Sequence, residues 1–519
     1  MEIHSLSLEN YKHFQTFNGA FGQNDEELSK LSIKFLVGNN GSGKTSVLQA
    51  IGLIFTRAMN DESPGFVYEL VYSIISGHKR VYVLLSNNSQ RYPLTERLYI
   101  QMAESLEGIK NGPVVRERYS EQVNLHPRRI ISFASGPNNS FEDVLVNSPL
   151  GAINSDIYDE LKREGRNSGK LEYLQQLQRR LLYEPNCINL NGENAAFILA
   201  AIVLAEPVGV EMEGYRTKKN RLFQMVRNIR AELISFELDE VKCRQLEASP
   251  LNKMRYESLL VNFLQRGARR IKVVHSLDGT MPKAIRILTI PAGDILSSNP
   301  MEFLTMLVTA QRFGYLLNVN LFYKNEDSEH LLDHNSLSDG EFFWLSRMAL
   351  IILSQQEYDE NTLFLFDEPD VFLNENWTMQ FISMLHDFAK MDLPGGESSE
   401  PRYNRQEYWI ATHSTLILTD AFPDQTFKIE SHSGVPGEFQ AISLDIPTFG
   451  ADRGEISALL FMDHERIGDF AKQVIDKALD EQKPYSNGRI QKMLDKVGPG
   501  YERFRLEEYL HARKQLRSD

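Results

Sequence analysis

Gly38-Asn39-Asn40-Gly41-Ser42-Gly43-Lys44-Thr45 stands between an apolar run, Leu31 to Val37, and an amphipathic stretch, Thr45 to Phe55. The run carries Leu31, Ile33, Phe35, Leu36 and Val37; the stretch places Val47, Leu48, Ile51, Ile54 and Phe55 on one helical face. A strand that feeds a helix through a glycine-rich octet narrows the fold more than any other feature, because strand and helix must pack as neighbouring layers of an α/β domain. The glycines let backbone N–H groups curl around phosphates, and the positive end of the helix faces them. Gly38, Asn39, Asn40, Gly41, Ser42, Gly43, Lys44, Thr45 and Ser46 are therefore expected to cradle ATP, with Lys44 on the β- and γ-phosphates and the Thr45 hydroxyl on Mg²⁺.

Three later motifs extend this chemistry. Thr362-Leu363-Phe364-Leu365-Phe366 reads as a buried strand ending in Asp367-Glu368, with Asp367 as a second Mg²⁺ ligand and Glu368 as the group that polarises the attacking water. Tyr408-Trp409-Ile410-Ala411 is a second such strand, and His413 just beyond it is placed to sense the γ-phosphate. Leu337-Ser338-Asp339-Gly340-Glu341 opens a helix through Leu353. Ser338 and Glu341 fit a capping box, which by itself describes an ordinary helix start. A helix N-terminus with a serine hydroxyl and a glycine is also an anion site, so Ser338 and Gly340 are expected to meet a nucleotide. Lys12, beside Tyr11 and Phe14, is a further candidate for contact with the base or α-phosphate, with a surface lysine beside a core aromatic as the other reading.

Along the remaining chain, strands are expected near 2–8, 81–85, 130–133, 271–274, 285–290 and 427–430. Helical spacing occurs at 171–177, 222–233, 256–264, 301–317 and 376–390, and two or three helices are expected between 454 and 515. The resulting partition is an N-terminal ATPase half (1–150), a helical insertion (151–270), a C-terminal ATPase half (271–432) and a helical interaction region (433–519). No heptad pattern persists, so the insertion reads as a compact lobe. Pro394 to Pro401 is an exposed loop by composition.

With 519 residues and a net charge of −14, the chain is large enough for several domains and too acidic to coat nucleic acid. Any contact with DNA or RNA must be local. Candidate patches are Arg128-Arg129, the stretch from Arg216 to Arg230, and Arg266 with Arg269-Arg270-Ile271-Lys272; solvated helix faces are the plainer reading of each. No apolar stretch approaches the ~18 residues of a membrane span. The N-terminus carries no secretory pattern, and the two cysteines, Cys187 and Cys243, are too few for a disulfide framework or zinc site. A cytoplasmic protein is expected.

The four motifs in this order resemble the ABC-type ATPases of the RecF, SMC and OLD superfamily, including AAA-type ATPases of bacterial anti-phage systems such as the Septu and restriction-associated ATPases. Asn10-Tyr11-Lys12-His13-Phe14, Asp367-Glu368-Pro369-Asp370 through Asn374, and Ala411-Thr412-His413-Ser414 carry the likeness; Asp370 and Asn374 depart from the Glu and His usual there. The resemblance implies a mixed sheet flanked by helices, ATP-driven homodimers or higher oligomers, slow hydrolysis, and coupling to nucleic acid or to a separate effector such as a nuclease. An alternative is a RecF-like DNA-repair ATPase. The separation of 292 positions from Thr45 to Leu337 far exceeds a transporter subunit's spacing and falls short of an SMC arm. Beyond His413, Glu430 and Asp445 are present without a D-x-D, so cleavage is expected of a partner rather than of this chain.

Overall fold

The computed structural model describes all residues except 23–30, 60, 77–78, 93–97, 136–140, 142–185, 192–193, 210, 249–254, 268–269, 277–282, 326–329, 356–360, 391–405, 433–434, 445–447, 462–468, 481–484, 499 and 516–519. The helix expected at 171–177, the 394–401 loop, Arg269 and Asp445 lie outside the described residues. The described residues form two compact units, Met1–Ala451 and Asp452–Asp519.

The first unit begins with strands β1 (Glu2–Tyr11), β2 (Phe14–Ala20) and β3 (Ser32–Val37), then helix α1 (Lys44–Ala58). Strands β4 (Val67–Ser76), β5 (Lys79–Ser86), β6 (Tyr99–Ala103), β7 (Val114–Val115), β8 (Arg129–Ala134) and β9 (Asn186–Asn191) follow. Then come α2 (Ala195–Leu204), α3 (Glu211–Met225), β10 (Arg230–Asp239), α4 (Glu240–Ala248), α5 (Arg255–Arg266), β11 (Ile271–Ser276), β12 (Lys283–Pro291), α6 (Pro300–Arg312), β13 (Leu316–Lys324) and β14 (Leu332–Asp333). The unit ends with α7 (Asp339–Ser354), β15 (Thr362–Asp367), α8 (Glu375–Ala389), β16 (Gln406–Ala411), the single turn α9 (Thr415–Leu418), β17 (Thr426–Ser431) and β18 (Glu438–Ser443).

Thirteen strands form one mixed sheet in the order β7-β6-β5-β4-β1-β2-β18-β17-β3-β16-β15-β8-β9. The segment β3-β16-β15-β8-β9 is wholly parallel. All six residues of β8, β15 and β16 are buried. This follows from a parallel sheet covered on both faces, and it explains why these strands read as near-continuous apolar runs. On one side α1 seals the sheet, with Val47, Leu48, Ile51, Ile54 and Phe55 fully buried. The architecture is the expected α/β one, a large mixed sheet flanked by helices.

The expected helical insertion has more strand in it than its spacing implied. β9 joins the main sheet, and β10 is the centre of a second, five-stranded sheet ordered β11-β12-β10-β13-β14. The stretch 222–233, expected to be one helix, is instead the end of α3 and the start of β10, separated by a turn at Arg227 and Asn228 whose φ values are both 49°. Two successive left-handed residues end a helix abruptly, whatever the apolar spacing across them. Likewise the 301–317 stretch breaks into α6 and β13 at Gly314, φ 70°. α2 is apolar on every side and buried along its whole length, packed among α6, α7 and β13.

The described residues of the second unit form four helices, α10 (Arg453–Phe461), α11 (Asp469–Leu479), α12 (Asn487–Leu494) and α13 (Tyr501–Gln515), where two or three were expected. Ile475, Ala478, Ile490, Leu494, Leu506 and Leu510 form its core. β18, within the stretch expected to belong to this region, is instead a strand of the main sheet between β17 and β2. None of the described helices is long and apolar enough to cross a membrane.

Candidate functional site

The register of the parallel strands places the motifs side by side. Leu36 pairs with Ala411, Ala411 with Asp367, and Asp367 with Ala134, so the carboxyl ends of β3, β16, β15 and β8 finish on one line. The phosphate loop, His413, Glu368 and Ser135 all begin within two residues of that line. Crevices at the carboxyl ends of parallel strands are where open α/β sheets bind ligands.

The loop itself is shaped by Gly38, Gly41 and Gly43, with φ of 148°, 80° and 102°. These values lie in a region that side chains avoid. Gly43 is also the N-cap of α1 and supplies no side-chain cap, so the first N–H groups of the helix face the loop. A methyl on Gly43 would meet the ring of Phe14 and stand 2.6 Å from His13 Nε2. His13 and Phe14, beside Lys12 in the Asn10–Phe14 motif, are thus the floor beneath the loop. Ser42 Oγ is buried and has no hydrogen-bond partner among the described residues.

Lys44 is buried, and its ammonium donates to Gly38 O at 3.0 Å and lies 2.6 Å from His413 Nε2. The Thr45 hydroxyl donates to both carboxylate oxygens of Asp367, at 2.9 and 3.0 Å. A hydroxyl and a carboxylate already in contact are hard oxygen donors of the kind Mg²⁺ prefers, so this pair fits the expected metal ligands. Among the described residues no cluster of three or more His, Cys, Asp or Glu side chains forms a separate metal site.

Glu368 sits one residue past Asp367 in a left-handed conformation, φ 50°, with its N–H held by Ala411 O at 2.8 Å. A non-glycine residue there costs of order 1–3 kcal/mol and persists only where the surroundings fix it. Burial, and then the neighbouring Asp370, push its carboxyl up to about 7. His413 Nε2 lies 3.3 Å from Glu368 Oε1. Burial, and then Lys44, hold the imidazole down at about 4, so it is neutral and accepts from Lys44. Burial likewise lowers Lys44, against the pull of Glu368 and Asp367.

Ser338 and Gly340 have local partners of their own. Ser338 caps α7 in a complete capping box: its hydroxyl receives the Glu341 N–H, and its own N–H donates to Glu341 Oε2 at 2.8 Å. No hydrogen bond or ion pair among the described residues joins either residue to the phosphate loop of the same chain. Gly340 is needed locally, because a methyl there would be 2.5 Å from Phe372 O. Asp370 accepts from Thr412 Oγ1 at 2.8 Å, and Asn374 caps α8 by accepting from Trp377 N. Lys12 donates to Gln49 on α1. Asn39, Asn40 and Gly41 line the outer rim, and Ser46 is buried in α1.

Two supporting residues went unread in the sequence. Arg347, in the apolar face of α7, is buried, donates to Ser135 Oγ and Val371 O, and stacks on Phe133 and Phe343. A lone arginine in the run Trp344-Leu345-Ser346-Arg347-Met348 was the available signal. Arg227 grips Glu341 with two bonds, at 2.5 and 2.9 Å, and nothing in the sequence links residues so far apart. Arg227 belongs to the Arg216–Arg230 stretch singled out as a basic patch. Most of that stretch is committed within the chain: Arg216 and Lys219 to Glu206, Arg221 to Asp387, Arg230 to Glu232, and Lys218 to Gln355. Arg270 likewise pairs with Asp294. The cysteines are free, and burial pushes both thiols up, Cys187 to about 11 and Cys243 to about 12.

No curated protein matches the chain. A solved structure titled "Structure of the recombination mediator protein RecF-ATPrS in RecFOR pathway" overlaps 85% of this chain and 98% of its own, at 13% identity and a TM-score of 0.34. Residues 1–165, which carry β1 to β3, the phosphate loop and α1, match the family model described as an AAA ATPase domain.

Proposed function

We propose that this chain is an ATP-binding and ATP-hydrolysing switch that closes as a dimer on nucleotide and signals to a separate effector. One observation carries the reading: Lys44, Thr45, Asp367, Glu368 and His413, from three parts of the sequence, meet at the carboxyl ends of adjacent parallel strands. The loop N–H groups and Lys44 hold the β- and γ-phosphates. Thr45 and Asp367 hold Mg²⁺, which when bound neutralises charge on the phosphates. Glu368, as the carboxylate, accepts a proton from the attacking water, and His413 reports on the γ-phosphate through the atom that now receives Lys44. Ser338 and Gly340 make no hydrogen bond or ion pair to their own loop among the described residues, which supports a nucleotide shared between two chains.

The effector is inferred to be a nuclease acting in antiviral defence. The internal pairing of the Arg216–Arg230 stretch favours signalling to a partner over direct clamping of DNA, and so disfavours the DNA-repair alternative. The test is Glu368→Gln purified with ATP and Mg²⁺. A stable dimer by light scattering, with a nuclease retained by affinity capture, is expected. A wild-type chain that stays monomeric with ATP and releases no phosphate would refute the switch. Capture of a recombinase or of gapped DNA instead would overturn the defence assignment.

A further inference from the structure

A cavity of about 840 Å³ opens where α3 ends and β10 begins, walled on its far side by the end of β13. Its volume is in the range of small-ligand sites, about 300–1,000 Å³. Arg230 and Lys324 line it together with the amides of Asn228 and Asn325, over an apolar wall that includes Phe223 and beside Lys219, whose ammonium is paired with Glu206. No described lining residue is acidic, in a chain of net charge −14. Arg230 is 78% exposed, and its pair with Glu232 engages Nε and Nη2, leaving Nη1 toward solvent. Cations and amides around an aromatic wall suit a phosphate group carried on a ring.

The walls of this cavity are tied to the start of α7. Asn228 follows Arg227, both left-handed, and Arg227 holds the Glu341 carboxylate with two bonds. The same Oε2 that receives Arg227 Nη2 also receives the N–H and hydroxyl of Ser338. On the far side, Lys324 ends β13, whose Phe322 and Tyr323 pair with Asp333 and Leu332 just before Ser338. A ligand that moved residues 228–230 would therefore pull on the carboxylate that occupies the Ser338 hydroxyl.

We propose that this cavity is an effector site for a small phosphate-bearing ligand of nucleotide size, which sets, through Arg227 and Glu341, the freedom of Ser338 to meet a partner chain's nucleotide. The second half rests on the two-chain ATPase reading. The full-length chain, its phosphate loop saturated with ADP and Mg²⁺, is titrated calorimetrically with pyrophosphate, with each of the four nucleoside 5′-monophosphates, and with a 20-nucleotide single strand. One equivalent of at least one small probe binds, and Arg230→Gln with Lys324→Gln weakens it at least tenfold while ADP affinity, which also reports folding, is unchanged. That probe shifts wild-type ATP turnover at least threefold, and Arg227→Gln keeps the probe's affinity but loses the shift. Absence of small-probe binding, binding indifferent to the double variant, or binding of the 20-mer alone overturns the site. An Arg227→Gln chain that responds as wild type overturns the link. Failure of the wild type to bind ADP at all would instead strike the ATPase reading.

Discussion

Replacing Gly43 with alanine tests whether the phosphate loop is held in shape from below. The added methyl would stand 2.6 Å from His13 Nε2 and 2.8 Å from Phe14 Cε1, and closer still to Phe14 Cζ. Carbon–carbon contact is comfortable at about 3.5–4.0 Å, so loop or ring must retreat by roughly 1 Å. The ring has little room: Phe14 is 1% exposed and packed by Phe17 and Phe439 at centroid distances of 5.1 and 5.2 Å. Overpacking of this kind costs about 1–3 kcal/mol. A side chain forced to φ 102° adds about 1–3 kcal/mol more. If the loop yields rather than the core, at least about 2 kcal/mol comes out of nucleotide binding, roughly a 30-fold loss. Calorimetric titration of Gly43→Ala with ADP and Mg²⁺ reads this directly, with far-UV dichroism as the check on folding. Phe14→Leu in the same chain should recover the steric part of the loss but not the backbone part. A Gly43→Ala chain that binds ADP within threefold of wild type, or a Phe14→Leu change that recovers nothing, would refute the reasoning.

Three further outcomes are expected. Glu407, at 0% exposure, accepts the Ile3 N–H on both oxygens, and burial, opposed by Lys34, pushes its carboxyl up from 4.5 to about 7. The folded chain then binds more protons than the unfolded one between pH 4.5 and 7. Stability therefore falls as pH rises through that window, by up to about 3 kcal/mol, and levels off above it. Glu407→Gln should flatten this dependence, and melting curves that stay parallel to wild type from pH 5 to 8 would count against it. Thr45→Val removes the hydroxyl from Asp367, so the gain in ADP affinity on adding Mg²⁺ should shrink about tenfold, by fluorescence titration with and without chelator. Gly340→Ala drives a methyl onto Phe372 O and displaces the 370–374 segment, so ATP turnover should fall at least tenfold while ADP affinity holds; an unchanged turnover would contradict it.

Much of the main sheet was legible because its elements are locally coded. Short apolar runs rich in aromatic and branched residues, such as Thr362 to Phe366 and Tyr408 to Ala411, read as strands covered on both faces. The glycine octet between strand and helix needs no distant partner to take its shape. In the second sheet β11 and β12 were legible as apolar runs, whereas β10 and β13 were not, for the opposite reason. Leu222, Leu233 and the residues between them have helical spacing, yet two left-handed residues cut the stretch in two, and only pairing with β12 and β13 makes Arg230 to Asp239 a strand.

The order of residues by itself therefore determined the candidate motifs, the side chains proposed to hold phosphate, metal and water, since each motif is a short segment with its own backbone geometry. Tertiary structure decided how those segments meet. Sheet order put β16 between β3 and β15, so Lys44 reaches His413 and Thr45 reaches Asp367 across more than 300 residues of chain. It also set Phe14 under Gly43, and it paired the basic stretch after Arg216 within the chain, because a carboxylate such as Glu206 or Glu341 lay within reach only once the helices had packed.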